Sequence, residues 1–267
     1  MRIRKKGIAL ALVCGMFAIS LGAYPFWSAV PARFAWAHGY HAAAYYLNHT
    51  DANLALEEGH YYFGVGAYDL GKAAGAFKLA LRLDPAALLA HYELGRIYYV
   101  EGNLAAAYRE MNAELTANPG DFRAFYERGL IDASQGDLSS AEADFKIFIP
   151  HAPAEWGGYN DLAFVLAQEG RYAESEAVAR EGMQKVPGGA DIPWLWNSLG
   201  LAQLNALQYE GARASFEQAL ALANHLTTAE WQRAYSANDP TAAKQSIANF
   251  QNAIRANLSM AQAGSTP

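Results

Sequence analysis

Four prolines stand on one fixed interval: Pro85, Pro119, Pro153 and Pro187 are each 34 residues apart. A domain built around one core has no reason to place prolines on such a ruler. A constant interval of this size marks a stack of repeats, each unable to bury its apolar face alone. Other residues keep the same interval. Gly102, Gly136 and Gly170 do so, as do Leu104, Leu138 and Tyr172, each two residues after its glycine. Ala73, Ala107 and Ala141 follow, with Ser175 as their small continuation. Gly95 and Gly129 follow too, with Ala163 next. Between these marks apolar residues recur three and four apart, which is the helical period.

Each unit therefore reads as two helices. In one repeat a first helix runs from about Leu88 to Val100 and turns at Glu101-Gly102-Asn103. A second runs to about Leu115 and stops at Asn118-Pro119. The glycine supplies the positive φ that a helix end often needs. The proline cannot extend the helix behind it and disfavours the α region in the residue before it. Gly95, Gly129 and Gly200 fall inside first helices, where glycine costs roughly 1 kcal/mol relative to alanine. Close approach of the paired helix is the expected reason.

With these marks in phase, the chain resembles the tetratricopeptide repeat (TPR) family. That pattern has an aromatic residue, Leu-Gly, Tyr, Ala, a second aromatic and Pro in order. His91, Leu94-Gly95, Tyr98, Ala107 and Pro119 carry it in one repeat. Phe125, Gly129, Gly136, Ala141, Phe145 and Pro153 carry it in the next, and Tyr159, Leu162, Gly170, Tyr172 and Pro187 in a third. Trp196, Leu199-Gly200, Ala212, Phe216 and Ala219 make another, reset by about five residues inserted after Pro187. Ala73, Phe77 and Ala80-Leu81-Arg82-Leu83-Asp84-Pro85 match a repeat's second half, behind a degenerate first half. The resemblance implies an all-α, right-handed superhelical solenoid of about five helix-turn-helix units with flanking helices. The expected repeats are about 54–87, 88–121, 122–155, 156–189 and 193–226.

The ends differ from the array. Arg2, Arg4, Lys5 and Lys6 precede an uncharged run from Gly7 to Ala32, most apolar from Ile8 to Ala23. This is the form of a secretory signal or an uncleaved signal anchor, here assigned to residues 1–30. The basic cluster would stay in the cytosol and leave the repeats outside the cytoplasmic membrane. Uncleaved, it makes a single-pass membrane protein. Cleavage would release a secreted or periplasmic one. Residues 31–53 read as a linker with a helix over about Pro31–Leu47. Residues 227–262 read as helices that cap the last repeat, and 263–267 as a tail. The one cysteine, Cys14, leaves no intramolecular disulfide to form.

Charge narrows the partners. Residues 1–37 hold five basic and no acidic side chains, so the remainder carries 15 basic against all 26 acidic ones, a net −11. Phosphates would be repelled, which argues against nucleic acid.

The catalytic look-alikes are weak. Gly66-Ala67-Tyr68-Asp69-Leu70-Gly71-Lys72-Ala73 has P-loop spacing, but Ala73 stands where a hydroxyl must hold Mg²⁺, and a helix precedes the loop. His38 and His41 lie one helical turn apart without a third ligand. No Gly-x-Ser-x-Gly elbow, His-Glu-x-x-His helix or paired-cysteine cluster is present. No cofactor, metal or intrinsic catalysis is expected.

In the family resembled, the first helix of each repeat lines a concave groove. Carried over, that places Glu58, Tyr62, Tyr92, Glu93, Arg96, Tyr99, Arg123, Tyr126, Glu127, Leu130, Asn160, Asp161, Phe164, Asn197 and Leu201 on the ligand-facing side. Glu93, Glu127 and Asp161 keep the 34-residue interval as an acidic line with aromatic rings beside it. Tyrosine suits peptide recognition because it offers flat apolar area and a hydroxyl at low entropic cost. The acidic line would favour a partner bearing Lys, Arg or a free amino terminus. The implied function is a tethered scaffold that binds a partner peptide or helix. An adaptor subunit of an envelope enzyme complex and a glycan-binding repeat protein remain alternatives.

Overall fold

The computed structural model describes residues 29–65 and 67–264, whose regular structure is entirely helical. Of the signal anchor expected over residues 1–30, all but the last two residues lie outside the described residues. Among the described residues no helix is long and apolar enough to cross a membrane. The chain divides after Ala90 into two units.

The first unit holds α1 (Ala29–Ala37), α2 (His41–Leu47), α3 (Ala52–His60) and α4 (Leu70–Leu83). The single helix expected over 31–47 is instead two. The chain turns between them at Gly39, whose φ of +76° is open to glycine and strained for other residues. Asp51 caps α3 by accepting from the Leu54 amide at 2.9 Å. The same carboxylate pairs with Arg33 of α1, which also reaches Glu57. Asp69 caps α4 through the Lys72 amide at 3.0 Å, and Ala73 is fully buried. The stretch with P-loop spacing thus serves as a helix start.

The second unit holds four helix pairs: α5 (Ala90–Val100) with α6 (Leu104–Ala117), α7 (Phe122–Gln135) with α8 (Leu138–His151), α9 (Trp156–Gln168) with α10 (Tyr172–Lys185), and α11 (Pro193–Asn205) with α12 (Tyr209–Ala223). Gly102, Gly136 and Gly170 turn the first three pairs at φ of 75°, 83° and 78°. In the last pair Leu207 does this work at φ 60°, and no glycine marks the turn in the sequence. Asn103 and Asp137 cap the following helices through the amides of Ala106 and Ser140.

The interior glycines have the expected packing reason, and it comes as a matched pair in each repeat. A Cβ on Gly95 would lie 2.6 Å from the Met111 methyl, and one on Gly129 would lie 2.8 Å from the Phe145 ring. One on Gly200 would lie 2.6 Å from Phe216. Where alanine takes the glycine position, at Ala163, the opposing position is Ala179, and both pack with Leu199. The same scheme pairs Gly59 with Phe77 in the first unit. A large residue thus faces an absent side chain, and a small one faces a small one.

After α12 come α13 (Thr228–Ala234) and α14 (Ala243–Gly264). A reciprocal capping box between Thr227 and Glu230 starts α13. Helix α14 lies on α12, where Ile254 and Ala261 join Ala212, Phe216, Ala219 and Ala223 in one buried cluster. It covers the last apolar face, the role expected of a terminal cap.

The matched pairs set a test. Gly129→Ala drives a methyl into the fully buried Phe145, so overpacking should outweigh the gain in helix propensity. The expected loss is about 1–2 kcal/mol by urea unfolding. Ala163→Gly, which opens space instead, should cost at least about 1 kcal/mol through helix propensity, with the loss of a buried methyl added to it. Equal urea midpoints for Gly129→Ala and the unmodified chain would refute the packing argument.

Candidate functional site

The inner row of the second unit is built by residues at matching positions of α5, α7, α9 and α11. Helical spacing puts residues three and four apart on one face. Glu93 and Arg96, Tyr126 and Leu130, and Asp161 and Phe164 therefore share faces on successive helices.

The structure joins most of these residues into two hydrogen-bonded sets. In the first, Arg96 lies between two carboxylates. Its Nη1 is 2.9 Å from Glu93 Oε2, and its Nε is 3.3 Å from Glu127 Oε1. The Tyr92 hydroxyl donates to the same Glu127 oxygen at 3.4 Å. The Arg96 and Arg123 guanidinium groups stand over the Tyr92 ring, 5.6 and 5.2 Å from its centre. In the second set the Tyr126 hydroxyl donates to Asp161 at 2.7 Å, and Asn160 donates to the other Asp161 oxygen at 2.9 Å. Ser198 of α11 donates to the Asn160 carbonyl at 2.8 Å. Tyr99 shares a hydrogen bond with Ser134 at 3.1 Å.

These contacts correct the expected electrostatics. Glu93, Glu127 and Asp161 do line up, but the line is compensated from within rather than presented as bare negative charge. Burial works against the charge on Arg96, yet the Glu127 and Glu93 carboxylates prevail and hold its pKa above the usual value. Burial raises Asp161 to about 6, against the hydrogen bonds from Tyr126 and Asn160. Burial also lifts the Tyr126 hydroxyl well above the usual tyrosine range, and the adjacent Asp161 adds to this.

Exposure separates the remaining expected residues. Phe164 is 45% exposed, and Arg123 is exposed with its guanidinium tied to Asp121. Leu130, Asn197 and Leu201 are half-buried, whereas Tyr92 and Glu93 are buried. Glu58 and Tyr62 belong to the first unit, and neither stands on an open face. Glu58 is fully buried and accepts from Asn48 at 3.1 Å, and burial raises its pKa to about 7. Tyr62 is buried edge-on against Tyr45, with Lys72 over its ring.

The sequence reading missed one part of the inner face, supplied from beyond the repeats. Trp231 and Tyr235 join Trp194 of α11, Trp156 of α9 and Phe250 of α14 in an aromatic cluster. Trp156 and Trp194 stack at 4.6 Å, as do Trp194 and Phe250 at 5.6 Å. Ser236 accepts from Arg96 Nη2 at 2.9 Å. No repeat interval points to residues 231–236. The available signal was the aromatic pair Trp231 and Tyr235, one helical turn apart.

The two histidines one helical turn apart make separate local contacts. His38 bonds to the Phe34 carbonyl at 2.8 Å, and His41 packs against Trp36 and Tyr61.

No family model matches the chain, and no curated protein matches it in sequence. Solved structures match it in fold. MamA from Desulfovibrio magneticus RS-1 is 16% identical with a TM-score of 0.58, covering 66% of this chain and 98% of that one. YrrB, described as a TPR protein with an unusual peptide-binding site, is 19% identical with a TM-score of 0.54, covering 69% and 93%. A tetratricopeptide repeat protein from Parabacteroides merdae is 16% identical with a TM-score of 0.53, covering 88% and 83%. The chain has the all-α helical solenoid fold of these TPR structures.

Asp161 gives the inner face a pH signature. Between about pH 4 and pH 6 the folded chain keeps a proton on Asp161 that the unfolded chain has released. Stability should therefore fall as pH rises through that window, by at most about 3 kcal/mol from this group. Urea midpoints measured from pH 4 to pH 7 should show a shallower decline for Asp161→Asn. Parallel curves for the two chains would contradict the assignment.

Proposed function

We propose that this chain is a non-catalytic scaffold that binds a peptide or helix of a partner protein on the inner face of its second unit. One observation carries the reading. The hydrogen-bonded sets hold that face rigid, while Phe164 and Arg123 stay exposed along it. A row that carries an exposed aromatic ring and, on a neighbouring helix, an exposed cation suits a partner segment that supplies an apolar side chain and an acceptor. The description of YrrB as having a peptide-binding site, on the same fold, supports the reading. The proposal extends to location. Arg2, Arg4, Lys5 and Lys6, followed by an uncharged run most apolar from Ile8 to Ala23, are read as a signal anchor over residues 1–30, with the repeats outside the cytoplasmic membrane.

Both parts have direct tests. Replacing Phe164 and Arg123 together by Ala should weaken partner capture by roughly 30-fold, about 2 kcal/mol, with circular dichroism unchanged. Undiminished capture by the folded double variant would exclude this face. For location, protease added outside the intact cytoplasmic membrane should digest the repeats. Digestion only after that membrane is breached would reverse the proposed orientation.

A further inference from the structure

We infer that the segment Tyr235–Asp239 is an internal occupant of this inner face, and that a partner competes for it with an aromatic residue followed by a small hydroxyl residue. The inference rests on the binding face proposed above.

The chain leaves α13 at Ala234 and comes back onto α5. Arg96, 140 positions earlier, donates to the Ser236 hydroxyl. One residue before, the Tyr235 ring lies 4.6 Å from Trp231 and 5.9 Å from Trp194 of α11. Two adjacent residues thus engage the first and last of the unit's first helices. Burial raises the Tyr235 hydroxyl above the usual tyrosine range, and the Asp161 carboxylate adds to the shift. The tyrosine accordingly sits beside the second hydrogen-bonded set as well.

The segment is fixed at its ends and open in its middle. The Tyr235 amide, bonded to the Trp231 carbonyl at the end of α13, fixes one end, and Asp239, capping the turn at Thr241, fixes the other. Gln232 reaches across to the Pro240 carbonyl at 3.2 Å. Between them Ser236 and Asn238 are exposed, so the middle of the strap lies on the surface while Tyr235 packs into the aromatic cluster. A surface strap with anchored ends can lift while α13 and α14 remain packed. Being tethered, it competes with a free ligand at an effective concentration on the order of millimolar.

The test uses the full chain and a fluorescent peptide of residues 231–240. In one variant, residues 235–239 become an equal-length Gly/Ser stretch. By anisotropy this variant should bind the peptide at least tenfold more tightly than the unmodified chain, and Tyr235→Ala in the peptide should abolish the gain. Should the replacement unfold the chain, the double variant Tyr235→Ala, Ser236→Ala serves instead, with the same expectation. No binding up to millimolar peptide, or equal binding by both chains, overturns the inference. The binding-face proposal fails separately: partner capture unaffected by Phe164→Ala with Arg123→Ala sinks it even when the peptide binds as expected.

Discussion

The structure depends on one steric contact, repeated at each helix pair. Gly59, Gly95, Gly129 and Gly200 omit a side chain where Phe77, Met111, Phe145 and Phe216 supply a large one. Two helices separated by so little space place their axes close, and the next pair can then stack on the same spacing. At Ala163 and Ala179 both residues are small, and Leu199 packs against the pair. Each glycine gives up roughly 1 kcal/mol of helix propensity. Burial of Phe145 and Phe216 offsets this, since a fully buried side chain of that kind contributes about 1.5–3 kcal/mol.

Close stacking has an electrostatic consequence. It brings positions 34 apart within reach of one another across neighbouring first helices, so carboxylates on that interval would repel. The chain answers in two ways. Arg96 is inserted between Glu93 and Glu127. Farther along, Asp161 is met by neutral donors, Tyr126 and Asn160. The two answers are not equivalent. Burial raises the Glu127 carboxyl, and Arg96 opposes the rise. A buried carboxyl held only by neutral groups titrates close to 6.

The contrast shows what the sequence made legible. Periodicity located the repeats because glycine and proline act locally, through φ and the missing amide, whatever surrounds them. It failed where a different residue met the same local demand, as Leu207 does at φ 60°. The row Glu93, Glu127 and Asp161 was legible as a line but not as a compensated one. That depends on which neighbour Arg96 meets in space, and Glu127 lies 31 positions away. Glu58 is buried in the first unit rather than set on an open face. There Asn48, at the end of α2, reaches over to bond it. Residues 231–236 lie beyond the last repeat, and no interval connects Ser236 to Arg96.

That last contact bears on how a solenoid of this kind is regulated. A stack of repeats is coupled mainly through neighbours, so its two ends respond to each other weakly. A segment that touches α5 through Arg96 and α11 through Trp194 adds a link between the ends. Lifting it removes that link and uncovers Arg96, whose carboxylate partners hold it charged and positioned. The energy a partner spends in displacing Tyr235 and Ser236 is therefore partly returned by a guanidinium already oriented. A partner without the matching aromatic and hydroxyl groups bears the displacement cost with no such return. In the proposed competition, selectivity at this face would come from the cost of opening it, not from net charge.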